Sequence, residues 1–307
     1  MAVKPEEATD AANALFGRHP GYRALHAKGT LCKGIFTATP EAARLTRAAH
    51  MQGEPTTATV RVSNGGGDPD MPDYALDVRG LAVKLYLPGG SRTDIVSQTV
   101  PNFPVRTPEA FVDLMLAQRQ SPALLWRLPR FFAGNPKALR GLPANTLALR
   151  PPASYAECRY YAIHAYRWVN AEGSEQYVRY TWLPDAPGSR LTPWAAKRLG
   201  RDYLQQEIRS RLERGAARFH LELQLAEPGD PVDDPSTGWP SERRRVKAGT
   251  LEVTDLETER ETGGDVLVFD PTRVTDGIEL SDDPVLRFRR DAYSDSVARR
   301  SGLLRAD

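Results

Sequence analysis

Along ARFHLELQLAE, residues 217–227, apolar and polar side chains alternate, with Phe219, Leu221, Leu223 and Leu225 on one face. A period of two predicts a strand with one buried face and turns His220 outward with Glu222 and Gln224. Similar character runs through HAKGTLCKGIFTATP, read as a long strand from His26, and through TTATVRVS (56–63), RGLAVKLYLP (79–88) and SRTDIVSQ (91–98). Gly, Pro and Asp clusters between them mark turns, so consecutive antiparallel strands are expected. Further strands are expected at 158–169, 175–184, 247–255 and 265–270. The period changes to that of a helix at 6–17, over a helical insertion at 107–141, in a charged helix at 193–214 and in a final helix at 284–302.

With 307 residues the chain can bury a large core, and closed β-barrels of this size commonly form one domain. One domain over 1–307 is expected, with 1–17 as a short N-terminal arm. The 41 basic and 39 acidic side chains leave a net charge of +2, so no global field draws the chain to nucleic acid or to a membrane surface. Cys32 and Cys158 form neither a CxxC pair nor a disulfide framework, which fits packed free thiols in a reducing compartment. The opening MAVKPEEATDAANALFG is acidic where a signal peptide needs a basic start, and no window approaches a membrane span. A cytoplasmic location is expected.

Several local signals read as structure. Gly65-Gly66-Gly67 is expected to be a flexible turn, because Pro69 and Met71-Pro72 follow where a phosphate cradle needs a helix N-terminus. Arg243-Arg244-Arg245, preceded by Glu242 and lacking interleaved aromatics, reads as a solvated loop. His19, His50 and His164 have no partners at metal-ligand spacing, and none is expected to bind metal. Cys158 has no base near it in sequence, which argues against thiol-based peroxide chemistry.

Chemistry concentrates in two segments. In RFRRDAYSDSVARR, Arg289 and Tyr293 are four apart and share a helix face, with Arg300 seven residues on near the same stripe. In the strand Thr59–Ser63, Arg61 and Ser63 share one face and Val60 and Val62 the other. An inward arginine and serine need partners.

Taken in order, these motifs resemble the haem-containing catalase family. In RALHAKGT, Arg23 and His26 fall on the family's haem-propionate arginine and distal histidine. VRVS is similar to the strand carrying a propionate-binding arginine, here Arg61, and the serine that orients the distal imidazole, here Ser63. DVRGLAVKLY (77–86) resembles the family's DPRGFAVKFY strand, and DIVSQTVPNFPVRTPEAF (94–111) its distal strand and helix start. FDPTRVTDGIELSDDPVLRFRRDAY (269–293) resembles the approach to the proximal ligand. Tyr293 then falls on the haem-iron tyrosine, Arg289 on the arginine that keeps that phenol ionised, and Arg300 on another propionate partner. Phe111 falls on a retained aromatic of the pocket.

The resemblance spans residues 18–303 and is that of a minimal member, a mini-catalase or catalase-related peroxidase. It implies an α+β fold, an eight-stranded antiparallel β-barrel with surrounding helices, without the C-terminal helical and flavodoxin-like extensions of larger members. The cofactor implied is haem b, with Tyr293 as axial ligand of the iron. Neither NADPH nor an interlocked tetramer is expected, and a homodimer is the candidate assembly.

In such a site His26 takes a proton from the near oxygen of the peroxide and returns it to the departing one, while Ser63 holds the tautomer. A phenolate axial ligand favours heterolysis of the O–O bond. Catalases finish with a second hydrogen peroxide, assisted by a distal Asn; this chain has Gln98 there, followed by Thr99. The extra methylene moves the amide by more than about an ångström, enough to cost a large factor in rate. Sequence alone leaves open which of Gln98 and Thr99 faces the pocket, since a one-residue slip exchanges the faces. Asn102-Phe103-Pro104 alters the aromatic pair that narrows the family's approach, so a wider entrance is expected. The implied activity is a peroxidase reducing hydrogen peroxide and organic hydroperoxides with small electron donors, with weak catalase activity. Alternatives are a true mini-catalase and an enzyme rearranging lipid hydroperoxides, for which the helices at 107–133 could line a channel or simply be core. A haem-storage protein has no need of His26, Ser63 and an ionised Tyr293 together.

Overall fold

The computed structural model describes residues 3–119, 124–136, 138, 145–186, 188–258 and 267–301. Eight strands run antiparallel: β1 (Gly29–Ala38), β2 (Thr56–Asn64), β3 (Arg79–Tyr86), β4 (Arg92–Gln98), β5 (Tyr160–Val169), β6 (Glu175–Pro184), β7 (Ala217–Leu225) and β8 (Arg245–Leu256). Their order is β4-β3-β2-β1-β8-β7-β6-β5, and Gln98 of β4 opposite Tyr161 of β5 closes the ring. Closure leaves no long edge to pair with another chain. A short strand, β9 (Ile278–Leu280), adds to β5 with Ile278 opposite Trp168.

The alternation on β7 delivers Phe219, Leu221 and Leu223 to the barrel core, shared with Phe36, Trp168 and Trp182. Phe36 meets Trp182 edge to face with ring centroids 6.0 Å apart. On β2 nearly every residue is buried, so its faces differ in chemistry rather than exposure. Val60 and Val62 join the core, whereas Arg61 and Ser63 face a cavity.

The helices whose bounds lie within the described residues are α1 (Pro5–Phe16), α2 (Pro40–Leu45), α3 (Pro108–Ala117), α4 (Leu124–Gly134), α5 (Pro193–Arg198), α6 (Tyr203–Arg214) and α7 (Pro284–Arg300). Four start with a cap followed by proline. Thr39, Thr107 and Thr192 accept the backbone N–H of Ala42, Ala110 and Ala195, and Asp283 accepts those of Val285 and Leu286. The side chain satisfies an orphan donor while proline, with no N–H to lose, presets the first turn. No described helix is long and apolar enough to cross a membrane.

Some expectations need correction. The first strand begins at Gly29, not His26, because His26 has a φ of 55° that breaks an extended chain. The charged segment 193–214 is two helices, interrupted where Gly200 adopts a φ of 107°. Residues 267–270 are not a strand, since Asp270 turns the chain by accepting the N–H and hydroxyl of Thr272; 259–266 lie outside the described residues. Strand β9 was not expected, being too short to show a period. Arg243 is held by Asp230 and Glu227 rather than free in a solvated loop, and Arg245 begins β8. Both cysteines are buried free thiols, and burial pushes Cys158 up to about 11.

Candidate active site

A cavity of about 390 Å³ lies between the barrel wall and helices α1, α3 and α7. Cofactor pockets run roughly 300–1,000 Å³. Its lining is mostly apolar, with a small set of polar side chains converging on it: His26, Arg61, Ser63 and Gln98 from the barrel side, and Arg289 and Tyr293 from α7. Arg23 and Phe111 also line it.

His26 owes its place to a pinned turn. Its N–H and that of Ala27 donate to the carbonyls of Gly65 and Gly66 at 2.9 and 3.0 Å. The N–H groups of those two glycines donate to the Asp77 carboxylate at 2.8 and 3.0 Å. At Gly67 a β-carbon would fall 2.1 Å from the Ala24 carbonyl oxygen, so only glycine lets the chain before His26 cross here. The glycine triplet is therefore a fixed support and not the flexible turn expected. From this support the imidazole reaches Ser63, Nδ1 to Oγ 3.0 Å.

Burial first, then the charges of Arg61, Arg289 and Arg23, push His26 down to about 3. The imidazole is neutral at any ordinary pH. Arg61 donates to the Ala27 carbonyl at 3.1 Å and Arg23 to that of Leu267 at 2.6 Å, which fixes both guanidinium groups beside the cavity.

The strand register resolves the choice at β4. Gln98 lines the cavity and its Nε2 is buried with no hydrogen-bond partner, whereas Thr99 turns away and accepts the Arg79 N–H at 3.1 Å. On α7 the four-residue spacing brings Arg289 Nη1 to the Tyr293 hydroxyl at 3.4 Å. The same guanidinium lies 5.6 Å from the centre of the Phe103 ring, which packs on Phe111 at 4.9 Å. The aromatic wall, expected to be weakened, is rebuilt from Phe103 and Phe111. Arg300 is the last residue of α7, and its side chain lies outside what is described.

Sequence reasoning missed His164. Strand β5 is irregular between Ala162 and Tyr166, and His164 there is buried with Nδ1 2.6 Å from Asp283 Oδ2. Asp283 is also the cap of α7, so one carboxylate ties β5 to the helix that carries Arg289 and Tyr293. Burial and the nearby Arg289 charge push His164 down to about 4. The two partners are 119 residues apart, and no local pattern could have linked them.

Chemically, the cavity offers a neutral base, an amide, guanidinium groups able to hold anionic substituents, and a phenol oxygen able to ligate a metal. Comparison with known proteins shows the family. The Catalase family profile matches residues 17–305. The chain is 46% identical to a catalase-related peroxidase of Mycolicibacterium paratuberculosis, over 98% of this chain and 96% of that one. It is 31% identical to a catalase-related peroxidase of Synechococcus elongatus, over 97% and 89% of the two chains. Its fold is similar to that of catalase A from Saccharomyces cerevisiae, with a TM-score of 0.81 at 24% identity, covering 92% of this chain and 62% of that one.

Proposed function

The chain belongs to the catalase family, and on that premise we propose that it is a haem b peroxidase reducing hydrogen peroxide and organic hydroperoxides with small electron donors. It is an oxidoreductase acting on peroxide. One observation carries the finer reading: the Ser63-bound imidazole of His26 and the Arg289-bound phenol of Tyr293 line one apolar cavity into which Gln98, not Asn, projects its amide.

The residues fit the group. Tyr293 supplies an oxygen ligand for iron, Arg23 and Arg61 supply cations for its propionates with Arg300 as a further candidate, and Phe111 an apolar wall. The Gln98 amide nitrogen is buried without a hydrogen-bond partner among the described residues. Haem, when bound, supplies the redox chemistry that splits the O–O bond with two electrons from the donor. The protein handles the protons. With Nδ1 of His26 engaged by Ser63, Nε2 accepts the peroxide proton and hands it to the departing oxygen, so ROOH, two electrons and two protons become ROH and water. The low basicity of the buried imidazole favours giving the proton back.

Oxygen yield tests the reading. Purified, haem-loaded protein is expected to release little oxygen from hydrogen peroxide and to oxidise a chromogenic donor rapidly; one oxygen per two peroxides, unaffected by donor, would instead make it a dismutating catalase. His26→Ala is expected to lower turnover roughly 10²–10⁴-fold while haem absorbance persists.

A further inference from the structure

We infer that α4 is a docking face for an anionic lipid bilayer. The helix buries Phe131 in a cluster with Phe103, Val105, Ile163 and Val285, the apolar wall behind the cavity. Its outward face is the anomaly. At 3.6 residues per turn Leu125, Pro129, Ala133 and Trp126 fall on one arc, and all four are exposed, Leu125 at 86% and Trp126 at 57%. A solvent-facing helix arc is ordinarily polar. This one is apolar and bordered by Arg127 and Arg130, with the Arg127 guanidinium 5.9 Å from the Trp126 ring.

Charge identifies the occupant. Between Asp113 and Glu157 the chain has no acidic residue and six basic ones, Arg119, Arg127, Arg130, Lys137, Arg140 and Arg150, a local excess that the whole-chain charge of +2 conceals. Tryptophan and leucine flanked by arginines, in a stretch of sequence without a carboxylate, match an interfacial surface: the apolar side chains enter the acyl boundary and the guanidinium groups meet lipid phosphates. Docking through α4 sets the Phe103–Phe111 wall beside the membrane. For the peroxidase reading, on which this clause alone rests, that gives access to hydroperoxides formed in lipids.

The test is sedimentation of the full, haem-loaded chain with vesicles of phosphatidylcholine alone or mixed equally with phosphatidylglycerol. Wild type is expected to bind the mixed vesicles at least about tenfold better than the neutral ones, and to be released by high salt. L125E/W126E is expected to lose that binding about tenfold or more, and R127Q/R130Q to lose its salt dependence. W194E, altering a tryptophan 69% exposed on α5, is expected to bind as wild type. Turnover of hydrogen peroxide with a soluble donor, unchanged in all variants, shows that they fold and keeps a failure of docking separate from a failure of the peroxidase reading. Wild type that ignores mixed vesicles, or L125E/W126E that still binds them, overturns the inference. So does a wild-type dimer in solution that L125E/W126E dissociates, which gives the face to a second copy.

Discussion

Gly80 lies against the His26 imidazole: a β-carbon there would sit 2.8 Å from His26 Nδ1 and 2.7 Å from Ser63 Oγ. Both contacts are shorter than real β-carbons tolerate, so a side chain at 80 must push the His26–Ser63 pair away from β3. Gly80→Ala is expected to lower kcat/KM for peroxide by roughly 10²-fold, the cost of displacing a catalytic group by about an ångström. Overpacking adds a stability loss of about 1–3 kcal/mol. Steady-state kinetics beside the haem absorbance check this, and a variant with normal kinetics would sink the proposed role of the pair.

The carboxylate of Asp283 has two tasks, capping α7 and accepting from His164, and substitutions separate them. Asp283→Ala removes the cap and strands a buried imidazole N–H, so a loss of about 2–4 kcal/mol is expected in denaturant unfolding. Asp283→Asn retains the capping oxygen but presents an amide donor to His164 in place of Oδ2, which the imidazole meets only by switching tautomer, and should cost about 1 kcal/mol. Equal losses for the two would mean that the cap does not contribute.

The barrel strands were legible because burial imposes a period of two, most plainly on β7, where one face is core and the other wet. The tyrosine helix was legible because Arg289 and Tyr293 interact within one element, four residues apart. What stayed hidden depends on chain segments meeting in space. His164 meets Asp283 only through the irregular β5, and the break at Gly200 is a backbone choice that side-chain periodicity does not record. The Gly65–Gly67 turn reads as loose in sequence and is firm in the fold, because its rigidity comes from Asp77, ten or more residues on.

Gln98 controls the balance between peroxidase and catalase chemistry in the proposed reading. Its amide nitrogen is buried with no partner among the described residues, so its reach, not a protein hydrogen bond, sets where it meets peroxide. Gln98→Asn withdraws the amide by one methylene and is expected to raise oxygen released per peroxide several-fold at little cost to donor oxidation. Gln98→Leu keeps the volume without the amide and is expected to leave donor oxidation as the dominant reaction. Oxygen-electrode traces that coincide for the two variants would remove Gln98 from the argument.

Three histidines, His50 and His164 buried and His26 half-buried in the cavity wall, set an acid limit on stability. Burial pushes His26 down to about 3 and His50 and His164 to about 4, with arginine charges adding to the effect at His26 and His164. In the unfolded chain each imidazole titrates near 6.5. Below that value the unfolded state takes up protons that the folded state refuses, so stability is fully present above pH 6.5 and falls as pH drops toward 4. Each histidine contributes up to about 1.4 kcal/mol per pH unit inside the window, and the three together roughly 4. Urea unfolding at pH 7, 6 and 5 should show that slope, and His50→Gln, remote from the cavity, should reduce it by about one proton. Activity should behave differently across the same range: because His26 stays neutral, kcat/KM for peroxide is expected to remain level from pH 8 to about 5 in enzyme that is still folded. An acid limb near 6.5 would mean that His26 meets solvent, and the buried neutral base would have to be abandoned.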